Sequence, residues 1–201
     1  MERTQFEKLV ADVRIVPVVV IKELQDTIPT LSALREGGIP IAEITFRTAC
    51  AKDAIALGAK TFPDVAVGAG TVLNATQAKE AIAAGACFIV SPGLSEDVAR
   101  ICNEANVPYF PGCVTPTEIM RALDFGITTV KYFPCNVYGG ISAIKSFAGP
   151  FPQVKFLPTG GITKETLKEY LDVPNIAAVG GSFMMKGDIV SACKEVMEIV
   201  K

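Results

Sequence analysis

Histidine and tryptophan are absent from the 201 residues. Without histidine there is no Ser-His-Asp or Cys-His nucleophile, and a zinc or iron site loses its commonest ligand, so no metal or other cofactor is expected. The six cysteines (Cys50, Cys87, Cys102, Cys113, Cys135, Cys193) form no C-x-x-C pair. Several lie inside apolar runs, as buried free thiols do, and they read as structural. Charge of one sign is also missing: 19 Lys+Arg against 21 Asp+Glu leave −2, with no basic stripe. Nucleic-acid binding needs such a stripe and is excluded. The longest apolar run, Ile15–Ile21, falls far short of the roughly 20 residues that span a bilayer. The first ten residues, MERTQFEKLV, lack the apolar stretch of a secretory signal. A cytosolic protein with no membrane partner is the expectation. Its chemistry must run on Lys, Asp/Glu, Arg, Thr/Ser, Tyr and backbone groups.

What is present is apolar and regular. Half the residues are hydrophobic, enough for a sizeable core, and the length suits one domain spanning 1–201. Short β-branched runs recur every 20–26 residues: Ile15–Ile21, Ile41–Phe46, Val65–Gly70, Cys87–Ser91, Val107–Gly112, Thr128–Phe133, Val154–Thr159 and Ile176–Gly181. They alternate little, as parallel strands covered on both faces do. Between them lie helix starts: Thr115-Pro116-Thr117-Glu118 is a capping box with proline at the first helical position, and Ser95 and Thr163 open similar segments. Gly37-Gly38, Gly58, Gly85 and Gly126 are expected to end helices. Met1–Asp12 is expected to add a helix before the first strand, with Phe6, Leu9 and Val10 on one face. Eight strand–helix units in a row predict an α/β fold, a (β/α)8 TIM barrel with an extra N-terminal helix. A doubly wound open sheet is the runner-up.

In such barrels the reacting groups sit at the C-terminal strand ends. In the second run, Ala42-Glu43-Ile44-Thr45-Phe46-Arg47, alternation puts Glu43, Thr45 and Arg47 on the face opposite the apolar set, hence inside. An interior carboxylate costs several kcal/mol unless it is paired. In the sixth run, Lys131 stands among β-branched and aromatic residues with Thr129 and Phe133 on its face. A lysine in apolar surroundings has its ammonium disfavoured, which frees the amine as a nucleophile. A plain interior ion pair between Lys131 and Glu43 would explain both residues equally well. The third run ends Gly68-Ala69-Gly70-Thr71, the fourth Ser91-Pro92-Gly93 and the fifth Pro111-Gly112, weak signals since turns need Gly and Pro anyway. The seventh and eighth end Pro158-Thr159-Gly160-Gly161 and Val179-Gly180-Gly181-Ser182. Phosphate-binding barrels use these two loops, where glycine lets backbone N–H groups approach an anion.

Interior Lys131 and Glu43, Arg47 and a phosphate cradle suggest imine chemistry on a phosphorylated keto acid, with Arg47 holding a carboxylate through its planar fork. In these motifs and their order the sequence resembles the 2-dehydro-3-deoxy-6-phosphogluconate (KDPG) and 4-hydroxy-2-oxoglutarate (KHG) aldolases. The motifs are Glu43-Ile44-Thr45-Phe46-Arg47, Gly68-Ala69-Gly70-Thr71-Val72, Ser91-Pro92-Gly93, Lys131-Tyr132-Phe133-Pro134, Ala148-Gly149-Pro150-Phe151-Pro152, Pro158-Thr159-Gly160-Gly161 and Gly180-Gly181-Ser182. The resemblance implies a class I aldolase of the Entner–Doudoroff type, with Lys131 as the Schiff-base lysine, Glu43 moving protons and Arg47 on the carboxylate. It implies that Thr71, Pro92 and Phe133 line the pyruvate site, and that Gly161, Gly181 and Ser182, in loops with Gly160 and Gly180, meet the phosphate. It implies a homotrimer acting on a small-molecule substrate. The Thr159 hydroxyl favours the gluco substrate over the C4-epimeric galactonate, whose aldolases resemble this chain but tend to carry an apolar residue where Thr159 stands and to depart from the context of Arg47. Tyr132 is expected to face the helices, and Cys135 and Tyr138 to lie in the loop near the site. The alternatives are a galactonate-phosphate aldolase and a non-catalytic phosphate-binding barrel.

Overall fold

The computed structural model describes residues Met1–Lys201. Each of the eight β-branched runs contains a strand: β1 (Ile15–Val19), β2 (Ile41–Thr45), β3 (Ala66–Gly70), β4 (Ile89–Val90), β5 (Tyr109–Phe110), β6 (Thr129–Tyr132), β7 (Lys155–Pro158) and β8 (Val179–Gly181). The strands are shorter than the runs. Nine helices alternate with them: α1 (Arg3–Val13), α2 (Thr27–Glu36), α3 (Ala51–Thr61), α4 (Ala75–Ala83), α5 (Glu96–Glu104), α6 (Pro116–Asp124), α7 (Gly140–Ser146), α8 (Lys164–Leu171) and α9 (Ile189–Val200). No helix is long and apolar enough to cross a membrane.

Local chemistry sets the helix ends. The Thr115 hydroxyl accepts from the Glu118 N–H while the Glu118 carboxylate accepts from the Thr115 N–H. Ser95 caps α5 through the Val98 N–H. Each such cap contributes about 1 kcal/mol. Gly38, Gly85 and Gly126 take positive φ just past helix ends, as expected. Gly58 does not: it lies inside α3, where a Cβ would come within 2.5 Å of Leu31 Cδ1. Its smallness serves the packing of α3 on α2 rather than a helix stop.

All strand pairs are parallel. Six strands form one curled sheet in the order β5-β4-β3-β2-β1-β8, and β6 pairs with β7. The adjacency of β8 and β1 is foreign to a doubly wound sheet. Single bridges link the two pieces, Gly112↔Lys131 on one side and Phe156↔Ile176 and Thr159↔Gly180 on the other. Two prolines explain why these seams are thin. Around Lys131, the N–H donates to the Pro111 carbonyl and the carbonyl accepts from the Cys113 N–H. One rung lower the donor would have to be Pro111 itself, which has no N–H. At the other seam the Ala177 N–H donates to the Phe156 carbonyl, and the next donor on β7 would be Pro158. The eight strands expected of the barrel thus form a curled sheet of six and a pair, joined by isolated bridges at both seams.

α1 packs across the N-terminal end of the strands. Its anchor is Phe6, fully buried and stacked on Phe88 with ring centroids 4.6 Å apart. Leu9 and Val10, partly buried, share that face. Burying one such ring stabilises by about 1.5–3 kcal/mol. Tyr132 faces outward, as expected: it packs edge-on against Phe147 just past α7 and donates its hydroxyl to the Tyr138 carbonyl at 2.6 Å. In the whole core only two charged side chains are buried, Glu43 and Lys131.

Candidate active site

β2 is buried along its full length, so its alternation decides what enters the concave side. Glu43 lies there at 1% exposure and Lys131, from β6, at 5%. The two strands are not neighbours; the curl of the sheet brings them face to face. Lys131 Nζ donates to Glu43 Oε1 at 3.2 Å. Glu43 Oε2 is buried and has no hydrogen-bond partner. An unsatisfied buried oxygen costs about 1–3 kcal/mol or more when charged, and a native fold keeps such an atom for a reason. The carboxylate thus has one oxygen engaged by the amine and one whose hydrogen-bonding capacity is unused by the protein. Thr45, on the same face, donates its hydroxyl to the Val19 carbonyl at 3.2 Å and is satisfied within the fold.

One glycine, Gly70, makes room for this pair, and two others shape its surroundings. A Cβ on Gly70 would collide with the Glu43 carboxyl, and one on Gly68 with the Phe88 ring. A Cβ on Gly112, whose strand position bridges Lys131, would collide with the Pro92 carbonyl. Pro92 is thereby pressed against the strand edge beside the lysine. Phe133 presents its ring 5.3 Å from Lys131 Nζ, within reach of a cation–π contact. The other edge of that ring borders Gly160.

Arg47 does not extend β2. The strand ends at Thr45, and Arg47 stands exposed in the following turn. What places it is Thr71, whose Oγ1 accepts from Arg47 Nε at 2.9 Å. Thr71 sits at φ 56°, costly for a β-branched residue, directly after the glycine that accommodates Glu43. With Nε engaged, the two terminal nitrogens of Arg47 stay available to a carboxylate.

At the seventh strand end, Gly160 (φ 100°) and Gly161 (φ 75°) take backbone conformations that suit glycine. The Asn136 side chain packs where a Cβ of Gly161 would lie. The loop after β6 is tied to the same place by Cys135 N–H to Thr159 carbonyl and Asn136 N–H to Gly160 carbonyl. Gly180 makes room for Thr159 Oγ1, and Gly181 for the Phe183 ring. The Thr159 hydroxyl points back to the Leu157 carbonyl at 3.4 Å, so it is turned into its own strand rather than held out to a sugar chain. Ser182, exposed, follows at the start of a single 3-10 turn, Phe183–Met185.

Three comparisons bear on this arrangement. The sequence model of the family described as KDPG and KHG aldolase matches residues 6–201. The 2-dehydro-3-deoxy-phosphogluconate aldolase of Treponema pallidum is 45% identical over 94% of this chain and 90% of its own length. This chain belongs to the KDPG and KHG aldolase family. The KHG/KDPG aldolase of Escherichia coli is 41% identical over 94% of this chain and 89% of its own length. Among solved structures, a KDPG aldolase from Legionella pneumophila, carrying pyruvate as a covalent carbinolamine intermediate, superposes with TM-score 0.88 at 39% identity. That alignment covers 96% of this chain and 95% of that one. Members of the family are aldolases, carbon–carbon lyases.

The cysteines of this family member are all free, and four of them are buried. Burial pushes the thiols of Cys102 and Cys113 up to about 12 and those of Cys87 and Cys193 up to about 11. Tyr109 is raised to about 12 for the same reason. Cys135, beside the site in sequence, turns its Sγ toward the Tyr170 hydroxyl at 3.6 Å, away from solvent. The sign of the linkage is clear: above about pH 8.5–10 an unfolded chain releases these protons while the fold retains them, so stability falls as pH rises. Thermal melts are expected to be level from about pH 7 to 8 and to drop steadily toward about pH 11. A melting temperature unchanged across that alkaline range would contradict the burial effect.

The sequence reading gave Gly70 and Gly112 only weak weight and missed Asn136 as a residue that shapes the site. Gly68 and Gly70 carried a usable signal: glycines two apart on one strand face mean that large side chains from elsewhere occupy that face. Asn136 carried none.

Proposed function

We propose that this protein is a class I (Schiff-base) aldolase that cleaves 2-dehydro-3-deoxy-6-phosphogluconate to pyruvate and glyceraldehyde 3-phosphate. It also cleaves 4-hydroxy-2-oxoglutarate to pyruvate and glyoxylate. The observation that carries this reading is the buried Lys131–Glu43 pair with Glu43 Oε2 unpartnered. A carbinolamine, as found in the Legionella pneumophila relative, is the adduct of an amine with a carbonyl carbon, and Lys131 is the buried amine here.

The steps follow from the geometry. The unprotonated Lys131 amine adds to the C2 ketone, the carbonyl oxygen takes up a proton, and loss of water leaves an iminium. That cation accepts the electron pair of the C3–C4 bond as the C4 hydroxyl gives its proton to Glu43. Glyceraldehyde 3-phosphate departs. The remaining enamine takes a proton at C3 from Glu43, and water hydrolyses the iminium to release pyruvate and the amine. Arg47, oriented by Thr71, holds the C1 carboxylate in a bidentate pair. Pro92 and Phe133 bound the small keto-acid end, while the Gly160-Gly161 and Gly180-Gly181-Ser182 loops take the phosphate.

The same reading extends to the architecture. The strands close as a (β/α)8 barrel, supported by the bridges at both seams, and residues 1–201 form one domain around one core. Three copies assemble, as the family resemblance implies, and the enzyme serves the Entner–Doudoroff route in the cytoplasm, where multiply charged sugar-acid phosphates are retained by the membrane.

The deciding experiment incubates the protein with pyruvate and sodium borohydride and maps the reduced adduct by mass spectrometry. An adduct on Lys131 is expected; an adduct elsewhere, or none, removes the mechanism. Arg47→Ala is expected to raise KM for both substrates about 10- to 100-fold, the loss of a charged hydrogen-bonded pair worth about 1.5–3 kcal/mol. Its melting temperature should stay near wild type because the side chain is exposed. Unchanged KM would show that another group holds the carboxylate. Ser182→Ala is expected to raise KM for the phosphorylated substrate several-fold and leave that for 4-hydroxy-2-oxoglutarate untouched. Equal losses on both would place Ser182 away from the phosphate.

A further inference from the structure

A cavity of about 570 Å³ lies at the end of the molecule opposite the candidate active site, between α1 and the N-terminal ends of β5, β6, β7 and β8. Its position follows from Pro111. Below the Gly112↔Lys131 bridge the ladder between β5 and β6 lacks its next donor, and the two strands part over Tyr109–Phe110 and Thr128–Thr129, which line the opening. α1 lies across this opening, anchored by Phe6 on Phe88, and leaves the space between its inner face and the strand ends open.

The chemistry of the walls is specific. Val10 and Phe110, both partly exposed, form the apolar side, with the Phe6 ring behind them 6.0 Å from that of Phe110. Four charged groups reach the cavity. Arg3 and Glu7 neutralise each other at 2.8 Å. Arg14 and Lys155 have no carboxylate partner. Arg14 donates through Nε and Nη2 to the carbonyls of Leu171, Ile176 and Ala177, and Lys155 Nζ donates to the Pro174 carbonyl. Each keeps N–H groups to spare, Nη1 on the arginine and two ammonium hydrogens on the lysine. Two cations without a carboxylate partner line the same cavity as the aromatic Phe110, a combination suited to an anion with a flat apolar body, and the volume falls in the range of small-molecule pockets.

The geometry points to a second ligand site, for a small aromatic carboxylate, at the α1 end of the strands. The carboxylate sits between Arg14 and Lys155, and the ring lies against Phe110 and Val10. This inference does not rest on the aldolase reading, since none of its residues touches the Lys131–Glu43 pair. Thr129 on its wall stands two residues before Lys131 on β6, roughly 7 Å along the strand.

The test uses the full chain and 2-naphthoate as the probe, titrated by fluorescence and calorimetry. Expected is saturable one-to-one binding that persists after Lys131 has been capped with pyruvate and borohydride. Naphthalene methanol, which lacks the charge, is expected to bind at least tenfold more weakly. Ala11→Trp, on the exposed helix surface bordering the cavity, fills the space and should weaken binding at least tenfold. Lys155→Gln should weaken it at least threefold. Both variants must melt within a few degrees of wild type, and Ala11→Phe replaces Ala11→Trp where the larger ring unfolds α1. Absence of saturable binding, displacement of the probe by capping of Lys131, or indifference to either variant overturns the inference. Failure of the borohydride trap alone would sink the aldolase mechanism and leave this site standing.

Discussion

Lys131→Met is expected to lower turnover of both substrates at least about 10⁴-fold and to abolish the borohydride adduct, because no other group in the site can form an imine. The variant is also expected to be less stable. Removing one partner of a buried pair strands the other, at about 3–5 kcal/mol, or roughly 6–20 °C of melting temperature in a chain of this size. That loss is the obvious objection, since an inactive protein could simply be a damaged one. The double variant Lys131→Met/Glu43→Gln answers it. With both charges gone, most of the stability should return while activity stays absent. Were the double variant to recover turnover together with its melting temperature, Lys131 and Glu43 would be an interior ion pair and nothing more. That outcome would assign the lyase chemistry to other groups than this pair.

Glu43→Gln tests the other half of the pair. Glutamine keeps the shape and can still accept from Lys131 Nζ, but it cannot carry a proton. Turnover is expected to fall about 10²- to 10⁴-fold, the usual contribution of a general acid–base group, with little change in KM. The pyruvate adduct should still form, more slowly, since addition of the amine needs only Lys131. If trapping disappears along with turnover, Glu43 prepares the amine rather than moving protons on the substrate. The unpartnered Oε2 would then need another explanation.

Much of this was legible before any coordinates. The absence of histidine removed whole classes of chemistry. The spacing of β-branched runs located all eight strands, and the capping box at Thr115 and the cap at Ser95 marked two helix starts where the structure has them. Lys131 and Glu43 stood out because a charge inside an apolar run needs a partner, and alternation put Glu43 on the concave side. One difference arises because a strand pattern does not say where the strand stops. Arg47 was placed by counting alternation past Thr45, whereas its position comes from the Thr71 hydroxyl. The direction of the Thr159 hydroxyl, toward the Leu157 carbonyl, is a rotamer choice that no strand pattern states.

Composition and periodicity determined the class of fold and the residue types on which its chemistry could run, because burial periodicity and helix caps are properties of short stretches of chain. Three things were decided only by tertiary structure. Glu43 meets Lys131 across 88 residues, a meeting set by the curl of the sheet. The same carboxylate has one oxygen bound and one unpartnered because Gly70 leaves room for the carboxyl group and no protein donor lies within hydrogen-bond distance of its second oxygen. The cavity under α1 exists because Pro111 has no N–H at the one rung where its neighbour strand needs a donor. A proline in a strand can be read from a string of letters, but the hydrogen bond it fails to make depends on which strand lies beside it, and that is a fact of folding in space.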